Sequence, residues 1–432
     1  MQLGCMAFFA GYCFSRRFIL SFVFGFLSLG LVASPAFPAS FENQVATAAN
    51  WIGKTWPQDV EHRASTDSNI YIAHLQTSIA NDEAQWLSKP SLALGQRLLA
   101  NYLLRYQLFQ HSRDLLSSER LAKRMQKMLG TKKQASVQLK HLLAKQASMN
   151  HRFIEAQALF EQEALPLELS LLIAHAQGDY SDLKALPNCL SADGQDSFVL
   201  SNIAERLLML GRFKDAIECF QLAEYRYQDV NPFVLSWLQT QVGIAFLEAD
   251  DIPSANTIFR RAYLRFPSYT LAAEHLAETE LLLGNLAEAE ELYLAVIKVS
   301  DHPLFIAQLA KVQHKLGKHK AAKINKELGL QGFNRMLENH LGAFADHGAQ
   351  YLLEQGMHQR AYEIAQINIR NRQDKGAWLL LGESAEINGD QAQACKAWQK
   401  LKSLQESYQL QMRGLDLKDK IKASCDTGLK RV

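Results

Sequence analysis

The sequence predicts an all-α protein built as a solenoid of repeated helix pairs. Glycine, alanine and an aromatic residue recur at fixed spacings in its second half, apolar residues follow i, i+3, i+4 spacing in its first half, and only 10 of its 432 residues are proline. Apolar residues at helical spacing predict amphipathic helices. Self-similarity with a period of roughly 20–50 residues indicates a repeat array, in which each helix pair buries its apolar face by stacking on its neighbours.

The repeat consists of a turn residue, an alanine five residues later and, in most copies, an aromatic residue four further on. Gly389, for example, is followed by Ala394 and Trp398. A glycine at the turn accepts the left-handed backbone that ends the first helix of a pair. Six turn positions align, with steps of 39, 34, 33, 39 and 33 residues: Gly211, Asp250, Gly284, Gly317, Gly356 and Gly389.

This pattern resembles the tetratricopeptide repeat, over about residues 197–403. The resemblance implies a right-handed superhelical solenoid of about six repeats that binds other proteins. Only the last copy keeps the first tryptophan of the motif, and only the second keeps its final proline, Pro267. The last copy is the fullest match: Trp378, Leu381, Gly382, Gly389, Ala394 and Trp398.

The remaining residues are predicted to flank the array. Residues 37–196 are expected to be a helical region of divergent repeats, with a separate helical bundle as the alternative. Residues 404–432 are expected to be a capping helix and tail, with one polar helix over 404–424. Helical apolar spacing upstream is clearest in three segments: 92–109, 115–128 and 137–147.

Residues 1–36 have the pattern of a bacterial secretory signal peptide. Arg16 and Arg17 precede an uncharged, strongly apolar stretch of fifteen residues at 18–32, which as a helix spans about 22 Å, short of the roughly 30 Å bilayer core. Small residues then precede a cleavage site after Ala36. We expect export to the periplasm with cleavage; an uncleaved anchor is the alternative, and the general secretory and twin-arginine routes both stay open.

Charge argues against a nucleic-acid partner. The two arginines of the leader account for the formal net charge of +2, so the rest of the chain is balanced. A balanced chain lacks the basic surface that nucleic-acid binders carry.

Four cysteines follow the leader and leave their pairing open. An oxidising periplasm permits disulfide bonds, and Cys189 with Cys219 and Cys395 with Cys425 are each 30 residues apart. A continuous C-terminal helix would place Cys425 about 18 Å beyond the residue opposite Cys395, further than the ~7 Å between Cα atoms that a disulfide spans. We therefore expect this second bond less than the first.

No residue pattern indicates an enzyme, a metal site or a cofactor. The sequence has no H-E-x-x-H, G-x-S-x-G or P-loop motif. His314 and His319, taken as parts of one helix, would point to different faces, so a surface position is expected. Lytic transglycosylases also carry a helical superhelix, but the Glu-Ser pairs beginning at Glu383 and Glu406 lack the Gly-Leu-Met-Gln sequel of that family.

In the family that the repeats resemble, the first helix of each pair lines a concave groove. Trp237 is the strongest candidate anchor, because most other copies have a small or aliphatic residue in its place. The acidic members of the set favour an apolar or basic segment over a C-terminal carboxylate. The predicted protein-binding residues are Phe198, Glu205, Met209, Trp237, Thr240, Ile244, Leu247, Glu274, Glu278 and Leu281.

These observations predict a periplasmic scaffold or assembly factor that binds an extended segment of an envelope protein. The alternative is a structural subunit of an envelope complex that binds through its convex face or its ends. An envelope enzyme of the transglycosylase type is a third possibility. We expect a protein partner, no cofactor or metal, and no stable membrane span after cleavage of the leader.

Overall fold

The computed structural model describes residues 65–129, 136–160, 164–181, 189, 196–210, 212–408 and 415–425, and the predicted leader lies outside these ranges. The described residues contain helices and no strand, which confirms the predicted all-α class. None of these helices combines the length and apolarity needed to cross a bilayer. In chain order they are α1 Ser68–Ser88, α2 Leu92–Phe109, α3 Ser112–Leu129, α4 Val137–Met149, α5 Phe153–Ala158, α6 Leu167–Ala176, α7 Ser197–Met209, α8 Phe213–Arg226, α9 Pro232–Glu248, α10 Ile252–Arg265, α11 Thr270–Leu283, α12 Leu286–Val299, α13 Pro303–Lys315, α14 His319–Asn339, α15 Leu341–Glu354, α16 His358–Asn371, α17 Lys375–Ile387, α18 Gln391–Tyr408 and α19 Leu417–Cys425.

The chain forms two compact units. One draws its described residues from Pro57–Ser170 and Ala223–Asn339, and we call it the central unit. The other draws them from Leu171–Leu222 and His340–Val432, and we call it the terminal unit. Each unit therefore combines segments from both sides of residue 197, where the sequence places the start of the array, and that predicted division stays a prediction.

The predicted turns between paired helices have left-handed backbone. L-residues disfavour this conformation, which explains why glycine is the usual choice there. The first predicted turn, Gly211, lies outside the described residues. The other five all have φ between 70° and 88°: Asp250, Gly284, Gly317, Gly356 and Gly389.

One backbone hydrogen bond recurs at every such turn. After Gly284, the N–H of Asn285 donates to the carbonyl of Glu280 at 2.9 Å, the bond that closes a Schellman cap. Two of its copies lie upstream of residue 197, so caps of this geometry are not confined to the predicted array. The equivalent donors are Arg152, Asp179, Arg212, Asp251, Lys318, Met357 and Asp390.

The alanines of the repeat are core residues: Ala216, Ala255 and Ala289 are fully buried. In two hairpins a glycine of the first helix faces an aromatic ring of the second. A β-carbon added to Gly243 would lie 2.5 Å from the ring of Phe259, so only glycine fits without displacing the ring.

Unequal helix lengths account for one of the two 39-residue steps. α14 has 21 residues, whereas α10 and α12 have 14 each. The additional two turns of α14 lengthen the step from Gly317 to Gly356. His314 and His319 are exposed, as expected, but they lie on two helices rather than one. The chain reverses at Gly317, so their rings are 5.1 Å apart.

Both cysteine pairs form disulfide bonds. The Cα atoms are 5.6 Å apart in Cys189–Cys219 and 5.1 Å apart in Cys395–Cys425. The prediction of one polar helix over 404–424 is wrong, and so is the distance that it implied for Cys425. α18 ends at Tyr408, and α19 folds back against α18, which brings Cys425 beside Cys395.

Candidate functional site

The predicted binding residues lie on the first helices of three hairpins. Those on α7 belong to the terminal unit, and those on α9 and α11 belong to the central unit. Helical spacing places the members of each helix on a shared face. Nothing in the structure tests their role in binding, which stays a prediction, but their exposure and contacts are well defined.

On α7 the predicted face is partly covered. Phe198 is half-buried, whereas Glu205 is only 5% exposed. Burial raises the pKa of Glu205 well above its ordinary value, because the charged form loses its hydration. Its Oε1 has no hydrogen-bond partner among the described residues. Burial therefore disfavours the charged form of this carboxyl. The side chain of Met209 lies outside the description.

On α9 most of the predicted residues belong to the core. Trp237 is 5% exposed, and Thr240 and Leu247 are also buried. The Thr240 hydroxyl donates to the carbonyl of Ser236 at 2.7 Å, so its polar group is satisfied within the helix. Ile244 is half-buried and is the most accessible of the predicted set on this helix.

α11 is buried on every side along residues 270–281. It packs against α9, α10 and α12, and also against α2 from the N-terminal part of the chain. The hydroxyl of Thr270 donates to the carbonyl of Leu108 at 2.9 Å, which ties the start of α11 to the end of α2. Glu274, Glu278 and Leu281 are consequently inaccessible, each below 5% exposed.

The two glutamates of α11 enclose a histidine that the sequence analysis does not single out. His275 Nδ1 lies 3.3 Å from Glu274 Oε2 and 3.1 Å from Glu278 Oε2. The imidazole ring stacks on Phe259 of α10, with ring centres 5.0 Å apart. His275 forms an i, i+3 pair with Glu278, and this spacing was the available sequence signal.

Burial and the mutual charges perturb this cluster. Burial raises the pKa of Glu274 to about 7; His275 opposes this rise and Glu278 adds to it. Burial alone lowers the pKa of His275, but the two carboxylates outweigh it and raise that pKa above its ordinary value. The two carboxylates therefore favour the protonated form of the imidazole.

Comparison with known proteins identifies the repeats but no function. Residues 242–303 match the tetratricopeptide repeat family. No curated protein matches the sequence. A crystal structure of the APC/C hetero-tetramer Cut9–Hcn1 is similar at 14% identity and a TM-score of 0.40, covering 89% of this chain and 73% of that chain. The human IFIT1 dimer with m7Gppp-AAAA is similar at 14% identity and a TM-score of 0.41, covering 90% and 92%.

Likenesses at this level carry no argument about function. The matched residues run from the middle of α9 to the start of α13, and hairpins with the same cap lie on either side of them. Over residues 242–303 the chain is thus similar to the tetratricopeptide repeat family.

Proposed function

We propose that the protein is an exported periplasmic scaffold or assembly factor that binds an extended segment of a partner protein and catalyses no reaction. The observation that carries this proposal is the run of tetratricopeptide hairpins, because stacked helical repeats offer extended surfaces that bind proteins. No catalytic motif was found in the sequence, which favours a binding role over an enzymatic one.

The periplasmic location is supported by two independent features. The leader at residues 1–36 has the charge and apolar pattern of a signal peptide. Two disulfide bonds, Cys189–Cys219 and Cys395–Cys425, suit an oxidising compartment rather than a reducing cytoplasm.

We place the contact with the partner at the C-terminal end of α9. Ile244 keeps partial exposure, and Glu248, one turn further along the same face, is exposed. These two residues offer an apolar group beside a carboxylate, which suits an apolar or basic segment. Trp237 is buried, so we expect Trp237→Ala to destabilise the fold by about 3–5 kcal/mol rather than to remove an exposed anchor.

Site-specific photo-crosslinking in the envelope tests the groove proposal. A photoreactive residue at Glu248 reports on the inner face, and one at Leu264 on α10, which is 71% exposed, reports on the outer face of the same unit. We expect one discrete crosslinked protein from position 248, lost in the Ile244→Arg variant, and none from position 264. Crosslinks from position 264 alone would support the alternative, a subunit that binds through its convex face.

Export is tested separately by fractionation and N-terminal sequencing. The mature chain should begin at Phe37 and fractionate with periplasmic proteins. Intact residues 1–36 in the envelope fraction would contradict cleavage and support the uncleaved anchor. Peptidoglycan cleavage by the purified protein would support the third alternative, an envelope enzyme.

A further inference from the structure

The cluster on α11 has the composition of a metal site. Glu274, His275 and Glu278 bring two carboxylates and one imidazole together inside the central unit, and one ligand atom from each lies within 4.8 Å of the others. All three side chains are at least nine-tenths buried. Carboxylate oxygen and imidazole nitrogen are ligands that Zn²⁺ and related divalent transition metals prefer.

The interatomic distances suit a tetrahedral ion. Zn–N and Zn–O bonds of about 2.0–2.2 Å place neighbouring ligand atoms of a tetrahedron roughly 3.4 Å apart. His275 Nδ1 lies 3.3 Å from Glu274 Oε2 and 3.1 Å from Glu278 Oε2. Both distances are within a few tenths of an ångström of the tetrahedral spacing, and the two carboxylate oxygens lie within 4.8 Å of each other.

Two unpartnered polar groups provide an independent reason to expect a ligand here. Among the described residues, Oε1 of Glu278 and the hydroxyl of Tyr293 are buried and have no hydrogen-bond partner. Tyr293 is completely buried on α12. Burial raises the pKa of its phenol, and the charges of Glu274 and Glu278 raise it further, so the hydroxyl lies within electrostatic range of both carboxylates. Unpaired buried polar groups are costly and call for a missing partner.

Charge balance points in the same direction. A single imidazolium can neutralise only one of the two carboxylates, and a remaining buried charge is strongly unfavourable. A divalent cation neutralises both carboxylates while His275 stays neutral. We propose that Glu274, His275 and Glu278 bind one divalent transition metal ion of the Zn²⁺ type, as a structural site in the core of the central unit.

All three ligands belong to one helix that is covered on every side. The ion would therefore be taken up as the chain folds, and its binding free energy would add to the stability of the fold. This inference is independent of the partner-binding proposal.

The experiment uses untagged mature protein, unfolded in chelator and refolded with or without one equivalent of Zn²⁺. After gel filtration, elemental analysis should find about one Zn²⁺ per chain in the wild type. The Zn²⁺-refolded protein should also unfold at a higher temperature than the metal-free protein. Substitution with Co²⁺ should give the visible absorption of a tetrahedral site, which reports ligation without any variant.

Conservative variants locate the ion. Glu274→Gln and Glu278→Gln keep side-chain size and should each lower bound Zn²⁺ at least tenfold. His302→Asn is the matched control, because His302 is a buried histidine of the same unit that caps α13, and asparagine also caps helices. It should retain Zn²⁺.

Two results would overturn the proposal. One is a wild type that refolds with less than about a tenth of an equivalent of Zn²⁺ and the same unfolding temperature in both buffers. The other is equal Zn²⁺ content in the wild type and both glutamine variants, which would locate the ion elsewhere. If the glutamine variants do not fold, the metal content and Co²⁺ spectrum of the wild type decide the matter.

Discussion

Replacing Gly382 with alanine should destabilise the terminal unit through a single contact. A β-carbon at this position would lie 2.7 Å from Cη2 and from Cζ3 of Trp398, whereas ordinary contact begins at 3.4 Å. The indole is completely buried and cannot swing aside, so α17 and α18 must separate by several tenths of an ångström. Overpacking of this kind costs about 1–3 kcal/mol. Alanine offsets about 1 kcal/mol of this cost through its higher helix propensity, so we expect a net loss of up to about 2 kcal/mol.

The assay is urea unfolding followed by circular dichroism, with a double-mutant cycle. Trp398→Phe removes the indole edge that the new methyl group would strike, so Gly382→Ala should cost less in that background. We expect a coupling free energy of about 1 kcal/mol or more. Gly376→Ala is the control on the same helix, since its β-carbon would meet only Asp374 Oδ1, at 3.2 Å, and it should not destabilise the protein, because helix propensity favours alanine there as well.

Additive effects would refute this reasoning. If Gly382→Ala costs the same with tryptophan and with phenylalanine at position 398, within about 0.5 kcal/mol, the indole contact does not select glycine. A Gly382→Ala variant that is more stable than the wild type by the full helix-propensity gain of about 1 kcal/mol would show that the hairpin of α17 and α18 relaxes without penalty.

Three further predictions concern single turns and groups. Burial lowers the pKa of His175 to about 4. Stability that is present above the unfolded pKa near 6.5 should therefore be lost as the pH falls from 6.5 through 4, by about 3 kcal/mol. In urea titrations of His175→Asn, the free energy of unfolding should depend less on pH over that range. Serine at both Cys395 and Cys425 should lower the free energy of unfolding by about 3.5 kcal/mol, because the bond closes a 30-residue loop. A reducing agent should then lower the melting temperature of this variant less than that of the wild type. Asp250→Gly should raise the free energy of unfolding by up to about 1 kcal/mol, seen as a higher urea midpoint, because Asp250 has φ of 70°. An unchanged midpoint would mean that the aspartate's own contacts offset the strain.

Local patterns predicted the hairpins because the hairpin is a local structure. Its turn needs one residue with left-handed backbone, and the close packing of its two helices needs one small residue. The positions of glycine and alanine in the sequence therefore indicate where each hairpin turns. The upstream helices were predicted for the same reason: segment 92–109 coincides with α2, and 137–147 lies within α4. The break after Tyr408 was missed, because the polar sequence that follows is compatible with one helix or two.

The exposure of the predicted binding residues could not be predicted from patterns within the repeats. Periodicity tells which residues share a face, but whether that face is open depends on what packs against it. For α11 the covering element is α2, joined to it through Thr270 and Leu108, which are 162 residues apart in the chain. No pattern within a repeat encodes a contact at that separation.

The same coverage changes the chemical meaning of the acidic residues. On an open groove, Glu274 and Glu278 would be solvated charges that attract a basic segment. Buried on α11 beside His275, the same carboxylates must be neutralised from within, by protons or by a cation. Glu205, buried without a neighbouring base among the described residues, has only the proton available. The difference between these two sites is therefore the imidazole, and it explains why the metal proposal applies to α11 and not to α7.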